Sequence, residues 1–322
     1  MSTTSEDQPT PKRQGRHDAQ ELVLPPLTPA TIQRAREGVA AARDLNTNRL
    51  VREALLSAEI IAQGGSEHKI SGEQRRLALL SLIHSLFRVR VDYPERIPTT
   101  PVLLAPNHLN HIDPFLLLSE LPARPYYYIL GDARTLYNKW WKRQFLSLSK
   151  GVIPLERLWG EEIAVIEGAK QGVSELADLA AEIEHYVPNG SSIQTLRRLD
   201  RIVQAIFARG DGILIFPEGG LGNVEGKLRL PLKRGAVIYA LRAGVPIVPV
   251  GIIGTQDLYF QKELTVRFGQ PLIFPQSSRP SPSLVQAALD ALQEALMALL
   301  PQDYCEQNKL KLFGSFLNRM FW

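Results

Sequence analysis

The regular hydrophobic pattern of this chain begins near residue 28. Residues 1–26 are polar, with several prolines, and they are predicted to form a mobile tail. Across residues 28–63, apolar side chains recur three and four positions apart, which predicts helix with one apolar face. Thr28 followed by Pro29 is a typical helix start, because proline suits the first helical position.

A second helix is predicted over residues 72–87, where the apolar face is very wide. Pro94 and Pro98 end this part of the chain. Residues 27–95 are therefore predicted to form an N-terminal helical region.

Beyond residue 96 the pattern changes to short apolar runs separated by amphipathic stretches. The runs predict buried strands and the stretches between them predict helices. The predicted strands are residues 101–106, 126–130, 151–155, 212–216, 245–253 and 263–274, and the predicted helices are residues 114–121, 192–208, 232–243 and 281–300. Buried strands that alternate with helices indicate an α/β fold with a mixed, largely parallel sheet flanked by helices.

The α/β domain is predicted over residues 96–280, and residues 281–322 are predicted to form a C-terminal helix and an interfacial tail. Residues 158–191 are an insertion in the domain, with an apolar stripe at helical spacing and many acidic residues on the other face. A lid and a subunit contact stay open as roles, but a packed helical layer is the simpler interpretation. The acidic face argues against contact with anionic lipid.

The composition is that of a folded protein. Of 322 residues, 44% are hydrophobic and 22% are charged, so the chain can bury a sizeable core. Its single cysteine, Cys305, excludes an internal disulfide framework and a multi-cysteine zinc site, and it fits a reducing compartment. A net charge of +4 is too mild to argue for a nucleic-acid partner.

No apolar run reaches the roughly 18 residues that a membrane-spanning helix needs. The polar N-terminus also lacks the apolar core of a secretory signal. We therefore expect an intracellular protein without a membrane span.

A histidine and an aspartate follow the first predicted strand, at a position where α/β sheets usually build their sites. His108 and Asp113 could form a pair in which the carboxylate orients the imidazole and the imidazole takes a proton. Residues five apart diverge on a continuous helix, so the pair requires a turn between them. Asp113 followed by Pro114 favours such a turn, with the next helix beginning there.

Two other interpretations of this segment stay open. An aspartate before proline and an apolar run is a common helix start with no catalytic meaning. Alternatively, His108, His111 and Asp113 could bind a metal ion, as in a metal-dependent hydrolase, although their spacing matches no zinc motif.

Three later segments also end strands with distinctive residues. The strand that begins at Gly151 is followed by Arg157, and the next strand is followed by Phe-Pro-Glu-Gly, which contains Glu218 and Gly219. The strand over residues 245–253 contains two prolines, which alone would indicate an edge position. Taken singly, each segment has a plain explanation as a surface charge, a turn or an edge strand.

Together and in this order, the four segments resemble the 1-acylglycerol-3-phosphate acyltransferase family of glycerolipid acyltransferases. The family pattern is His-x₄-Asp, a strand from Gly to Arg, Phe-Pro-Glu-Gly and a Val-Pro-rich strand, and the match covers about residues 101–275. The resemblance implies an enzyme of phospholipid biosynthesis. Such an enzyme moves a fatty acyl group from an acyl thioester to the hydroxyl of a lysolipid such as 1-acylglycerol-3-phosphate.

The resemblance also implies a role for each matching residue. His108 is expected to be the general base that deprotonates the lipid hydroxyl, and Asp113 its orienting carboxylate. Arg157 is expected to hold the acceptor's phosphate, a task that suits a planar guanidinium. The expected substrate-binding set is Asn107, Arg157, Glu218 and Gly219. No metal or redox cofactor is implied, and the acyl donor is a thioester of coenzyme A or of an acyl carrier protein, which makes the carrier protein a candidate partner.

One departure from the family pattern leaves the acceptor headgroup open. Family members often continue Phe-Pro-Glu-Gly with Thr-Arg-Ser, and that arginine can help to bind phosphate. This chain continues with Gly-Leu-Gly at positions 220–222. Lys227, Arg229, Lys233 or Arg234 could supply the charge, although a solvated basic surface is the plainer interpretation. The same departure motivates an alternative, a non-catalytic lipid-binding protein on the same fold.

A lipid acceptor requires contact with a membrane surface. Residues 77–87 are apolar with arginines at both ends, and residues 309–322 combine basic and aromatic side chains, as interfacial helices do. Core packing is favoured for the first stretch and the interface for the second. We therefore expect a cytoplasmic protein that associates peripherally with the inner face of a membrane.

Overall fold

The structure, a computed structural model, describes residues 24–65, 70–190, 192–306 and 310–321. The predicted mobile tail lies outside the described residues except for its last three positions. Lys309 and Trp322 of the predicted interfacial tail also lie outside them.

Seven strands form one sheet within the described residues. Their bounds are β1 Arg88–Asp92, β2 Leu103–Pro106, β3 Tyr127–Asp132, β4 Val152–Leu155, β5 Gly212–Ile215, β6 Ile247–Ile253 and β7 Glu263–Phe268. Their order across the sheet is β1-β7-β6-β2-β5-β3-β4. All neighbouring strands are parallel except β6 and β7, so the sheet is mixed and largely parallel, as predicted.

Twelve α-helices are found in the described part of the chain. They are α1 Pro29–Arg43, α2 Leu45–Ala62, α3 Gly72–Leu86, α4 Asp113–Glu120, α5 Ala133–Leu136, α6 Trp140–Ser149, α7 Gly160–Lys170, α8 Ala177–Tyr186, α9 Ile193–Ala208, α10 Gly235–Ala243, α11 Pro282–Leu299 and α12 Gly314–Phe321. Short 3₁₀ turns lie at Pro94–Arg96 and Ser174–Leu176. None of the described helices is long and apolar enough to cross a bilayer.

Both faces of the sheet are buried, which explains why its central strands read as unbroken apolar runs. On β2, Leu104 packs into one core while Leu103 packs into the other. The first core also contains buried side chains of α3, α4 and α12, and the second contains those of α9, α10 and α11. The loops that follow the central strands are therefore supported by a sheet that is packed on both faces.

Two strands differ from their predictions. Strand β1 was included in the N-terminal helical region, but residues 88–92 pair in parallel with Glu263–Arg267 of β7. Its alternation of Arg and Val is too short to stand out, and only the partner strand makes it part of the sheet.

The edge position for the proline-containing strand is wrong, because β6 lies between β7 and β2. Pro249 pairs with Ala105 on one side, and the ladder to β7 begins one residue later.

The N-terminal helices do not form one continuous unit. The predicted helix over residues 28–63 is divided at Asp44 into α1 and α2. Helix α1 packs on α7 and α8 of the insertion, and these helices share a small separate core that includes Val39, Val165 and Ile183. The insertion is thus a packed helical layer whose third helix comes from the N-terminal region.

The two candidate membrane stretches are packed differently from each other. In α3, Leu79 and Ile83 are buried, so this helix belongs to the core, as favoured from its sequence. Helix α12 is split between core and surface: Phe321 is fully buried against Phe87 and Trp141, whereas Phe316 is exposed. The preference for an interfacial C-terminus is therefore wrong at Phe321.

Candidate active site

The central loops of the sheet meet at its carboxyl edge. Strands β2 and β5 are parallel neighbours, so the loops that follow them emerge side by side. His108 links these loops through its backbone. Its N–H donates to Glu218 Oε1 at 2.7 Å, and its carbonyl accepts from Gly222 N at 2.7 Å.

The imidazole of His108 and the carboxylate of Asp113 form a hydrogen bond of 2.8 Å between Nδ1 and Oδ2. Asp113 is the first residue of α4, and the predicted turn before it brings the two side chains together. Its Oδ2 also accepts from the backbone N–H groups of Leu109 and Asn110, at 2.7 and 2.9 Å. Because the carboxylate accepts from Nδ1, it favours the tautomer in which Nε2 can take a proton.

The ring of His108 is also held by stacking. It lies on the ring of Phe216, with centroids 3.9 Å apart and an interplanar angle of 21°. Its side chain is 14% exposed, whereas Asp113 is fully buried. A buried orienting carboxylate beside a partly open imidazole is the arrangement that a general base needs.

His108 lines a pocket whose walls also include His111, Asp132, Lys142 and Phe216. Burial lowers the pKa of His111 to about 2, with Lys142 adding to the effect, so this second imidazole is neutral at physiological pH. Burial likewise lowers the pKa of Lys142 to about 7.

The metal-binding interpretation finds no ligand set in the described residues. No group of three or more His, Cys, Asp or Glu side chains is placed there to hold a metal ion. The rings of His108 and His111 are 6.2 Å apart, and Nδ1 of His108 is already bonded to Asp113.

Glu218 faces the backbone and not the open pocket. Its Oε1 accepts from His108 N and its Oε2 accepts from Arg229 N at 2.6 Å, and the residue is buried. Burial raises the pKa of Glu218 to about 7. The structure therefore places this predicted binding residue as the connection between the two site loops.

Arg157, which follows β4, reaches the glycine turn that follows β5. Its Nη2 donates to the carbonyl of Gly219 at 2.8 Å, and its Nε lies 3.5 Å from Asp132 Oδ2. The side chain is 39% exposed, so part of the guanidinium is open to a ligand. Asp132 was not singled out from the sequence, although a carboxylate at the end of a buried strand is a signal that could have identified it.

Asn107 is the predicted binding residue that the structure places inside the fold. It is completely buried, its Oδ1 accepts from Ile252 N at 2.6 Å, and its Nδ2 donates to Ile252 O at 2.9 Å. Its amide therefore extends the pairing of β2 with β6 and fixes the start of the His108 loop.

Two of the four candidate cations lie against the glycine turn. A side-chain carbon at position 220 would clash with Nη1 of Arg229, and one at position 219 would lie 2.8 Å from Cγ of Lys233. The pKa of Lys233 is lowered, first by burial and then by the charges of Arg229 and Arg157. Three cations, Arg157, Arg229 and Lys233, therefore surround the turn, and we call them the turn cations.

A His–carboxylate pair lies at the carboxyl edge of a largely parallel sheet, beside a cationic turn. Such an arrangement is chemically able to accept a proton and to bind an anion. The Acyltransferase family model matches residues 88–253, which is more than half of the 322 residues. The chain therefore belongs to the acyltransferase family.

Known relatives are similar to this chain over different lengths. Mouse 1-acyl-sn-glycerol-3-phosphate acyltransferase alpha is 24% identical over 245 residues, which cover 70% of each chain. The human protein of the same name is 38% identical over 72 residues, covering 22% of this chain and 25% of the human one. The crystal structure of the 1-acyl-sn-glycerophosphate acyltransferase PlsC from Thermotoga maritima matches with 16% identity and a TM-score of 0.43, over 72% of this chain and 79% of that one.

Proposed function

We propose that this protein transfers a fatty acyl group from an acyl thioester to the hydroxyl of a lysolipid with a phosphate headgroup. The observation that carries this proposal is the 2.8 Å hydrogen bond between His108 Nδ1 and the buried Asp113 carboxylate. The relatives named above are 1-acyl-sn-glycerol-3-phosphate acyltransferases, which supports a lysophosphatidate acceptor.

The reaction begins when Nε2 of His108 takes the proton of the acceptor hydroxyl as its oxygen attacks the thioester carbonyl. The carbon–sulfur bond then breaks, and the proton passes from the imidazolium to the leaving thiolate. Asp113 stabilises the imidazolium that exists between these steps. General base catalysis of this kind contributes typically ~10²–10⁴-fold, and holding the hydroxyl beside the thioester contributes further.

The turn cations support a phosphate on the acceptor. Arg157, Arg229 and Lys233 together carry three positive charges, and Asp132 is the carboxylate within ion-pair distance of Arg157. Guanidinium groups bind phosphate oxygens through charge-assisted hydrogen bonds. The site thus provides net positive charge where the lysolipid headgroup would bind.

The proposal includes peripheral contact with a membrane. The segment before and within α12 exposes Leu310, Leu312, Phe313 and Phe316. Lys311 lies within this segment and Arg319 follows it in α12, and apolar side chains interleaved with basic ones favour the interface of an anionic bilayer. We call residues 310–316 the lipid-facing segment.

The experiment that tests the proposal compares the purified protein with its His108→Ala variant. Both are given a panel of lysolipids with coenzyme A and acyl-carrier-protein thioesters, and products are read by mass spectrometry. We expect His108→Ala to lower kcat by ~10²–10⁴-fold with an unchanged Tm, because the base is lost and the fold is not. His84→Ala is the matched control, since His84 forms a surface pair with Glu120 away from the site.

Two outcomes would contradict the proposal. Normal turnover by His108→Ala would transfer the role of base to His111 or to another group. Binding of lysolipid by the wild-type protein without acylation from either donor would favour the non-catalytic lipid-binding alternative, which the glycine-rich continuation after Gly219 motivates.

A further inference from the structure

A buried ion pair connects the helical insertion with the α/β domain. Arg134 of α5 and Glu162 of α7 form a bidentate pair, with Nη1 2.5 Å from Oε1 and Nη2 3.1 Å from Oε2. Their side chains are 8% and 0% exposed. Two parallel N–H···O bonds fix the relative orientation of both groups more tightly than one contact could.

The remaining hydrogen bonds of this pair bring three further segments together. Arg134 Nη2 donates to the carbonyl of Arg157 at 2.8 Å, and its Nη1 donates to the carbonyl of Gly38 in α1 at 3.3 Å. Glu162 Oε2 accepts from Trp159 N at 2.6 Å. The backbone of Arg157 is thus held by a guanidinium that the insertion itself orients.

The far end of the insertion returns to the same place. Gly190 has a φ of +59°, and a side-chain carbon at this position would clash with the carbonyl of Glu156. The chain therefore passes so close to residue 156 that only glycine fits. Residues 156 and 157 lie between the two ends of the insertion.

The side chain of Arg157 points from this fixed backbone toward the candidate active site. Its Nη2 bonds to Gly219 O, and its Nε lies 3.5 Å from Asp132 Oδ2. Asp132 Oδ2 in turn accepts from Trp159 Nε1 at 2.8 Å. Two routes thus connect the insertion to Arg157. Glu162 reaches the carbonyl of Arg157 through Arg134, and Trp159 reaches the guanidinium of Arg157 through Asp132.

We infer that the insertion over residues 158–191 is a positioning element for Arg157, and that Arg134 and Glu162 are positioning residues that set the affinity for the acceptor's phosphate. This inference rests on the proposed function. A buried ion pair is by itself weak evidence for stability, because well-packed apolar side chains of similar volume often replace one without loss. Such a replacement would remove the hydrogen bond to Arg157 O, together with those to Gly38 O and Trp159 N.

The test is the double variant Arg134→Met/Glu162→Met, which keeps the volume and removes both charges. We expect a single cooperative unfolding transition with a lower Tm, because buried backbone groups lose their partners, together with about a tenfold higher KM for lysophosphatidate and a kcat within about threefold. The KM for the thioester donor is expected to stay unchanged, because the proposal assigns Arg157 to the phosphate of the acceptor. Glu167→Gln is the matched control on the same helix, since Glu167 forms only an exposed pair with Lys170.

A double-mutant cycle with Arg157→Ala separates positioning from simple packing. If the buried pair acts through Arg157, the triple variant, which combines Arg157→Ala with the double variant, should have the same acceptor KM as Arg157→Ala alone. Additive effects would overturn the inference, because the pair would then act by another route.

A second variant guards against poor folding of the first. Arg134→Lys keeps a positive charge beside Glu162 but cannot form the fork that also reaches Arg157 O. The same rise in acceptor KM is expected, and a wild-type KM in this variant would overturn the inference while leaving the proposed function intact.

The proposed function fails if the wild-type protein acylates no lysolipid. Calorimetric binding of glycerol 3-phosphate to the wild type and to the double variant then tests the inference separately. We expect about tenfold weaker binding to the double variant, and equal binding would overturn the inference.

Discussion

At the scale of single residues, one carboxylate oxygen organises the candidate active site. Asp113 Oδ2 accepts from His108 Nδ1 and from two backbone N–H groups of the loop between them. The same atom therefore shapes the loop and orients the ring that the loop carries. Asp113 is both the first residue of α4 and the hydrogen-bond partner of His108. The helix start and the proposed orienting role therefore do not exclude each other.

The turn cations lead to a prediction about the acceptor headgroup. Arg229→Gln with Lys233→Gln should raise the KM for a lysophosphatidate acceptor about tenfold, because each of the two lost charge–phosphate contacts is worth roughly 0.7 kcal/mol at such exposed positions. The KM for a neutral monoacylglycerol should change little. Steady-state kinetics with both acceptors at low and physiological salt measures this difference.

Lys227→Gln is the control for that prediction, since Lys227 is an exposed cation of the same loop. Equal losses with phosphorylated and neutral acceptors would mean that the two cations stabilise the turn without binding the headgroup.

Lys142 leads to a prediction about stability and pH. Its Nζ donates to Asn138 Oδ1 at 3.0 Å and to Phe321 O at 3.3 Å, and burial, followed by the charge of Lys139, lowers its pKa from the usual 10.5 to about 7. Between these pH values the unfolded chain keeps a proton that the folded chain has lost. The free energy of unfolding should therefore rise with pH across this window, by up to about 1.4 kcal/mol per pH unit from this group.

Chemical denaturation of the wild type and of Lys142→Met at pH 7.5, 8.5 and 9.5 measures that slope. The wild type should gain stability relative to the variant as the pH rises. Parallel curves for the two proteins would mean that Lys142 keeps its proton in the folded state.

At the scale of elements, α12 combines two environments in eight residues. Phe321→Ala should lower the free energy of unfolding by ~3–5 kcal/mol, because the ring is 0% exposed and packs on Phe87 and Trp141. Phe316→Ala should change it by less than about 0.5 kcal/mol, since that ring is 63% exposed. Denaturant unfolding of both variants makes the comparison, and similar losses would contradict the division of this helix into core and surface.

The packing of the insertion, and its distance from the candidate active site, depend on its neighbours in the fold. Its apolar stripe alone predicts packing, but α1 and not the sheet supplies the partner surface. Its ends then meet at residues 156 and 157, where the buried pair Arg134–Glu162 and the close approach of Gly190 hold the backbone. A helical layer placed in this way can influence the acceptor site without lining it.

At the scale of the whole molecule, the lipid-facing segment predicts binding to anionic vesicles. Phe313→Ser with Phe316→Ser should weaken binding to vesicles of phosphatidylglycerol and phosphatidylcholine about tenfold, because two exposed aromatic side chains lose their apolar insertion. Sedimentation with vesicles measures the bound fraction.

Leu45→Ser is the matched control, since Leu45 is an exposed apolar residue of α2. Wild-type binding by the double serine variant would place the membrane contact elsewhere on the molecule. Vesicle binding that does not depend on the fraction of anionic lipid would contradict the electrostatic part of the prediction.

Much of this protein is determined by local sequence. Thr28, Ser192 and Ser281 cap helices whose first turns they precede, since a side-chain oxygen satisfies a backbone N–H within a few residues. The central strands follow from their apolar runs. The contact between His108 and Asp113 also has a local origin, because the two residues are only five positions apart and the Asp–Pro sequence favours the turn between them.

Only the tertiary structure decides the rest, because it depends on contacts between residues far apart in the chain. Strand β1 exists through its pairing with β7, and Pro249 is tolerated inside the sheet because it pairs with β2 while the ladder to β7 begins one residue later. The sequence offers four cations near the glycine turn, but the fold brings Arg229 and Lys233 to it. In the same way, no local pattern marks Arg134 and Glu162, which form a buried pair only where α1, α5 and α7 come together in the fold.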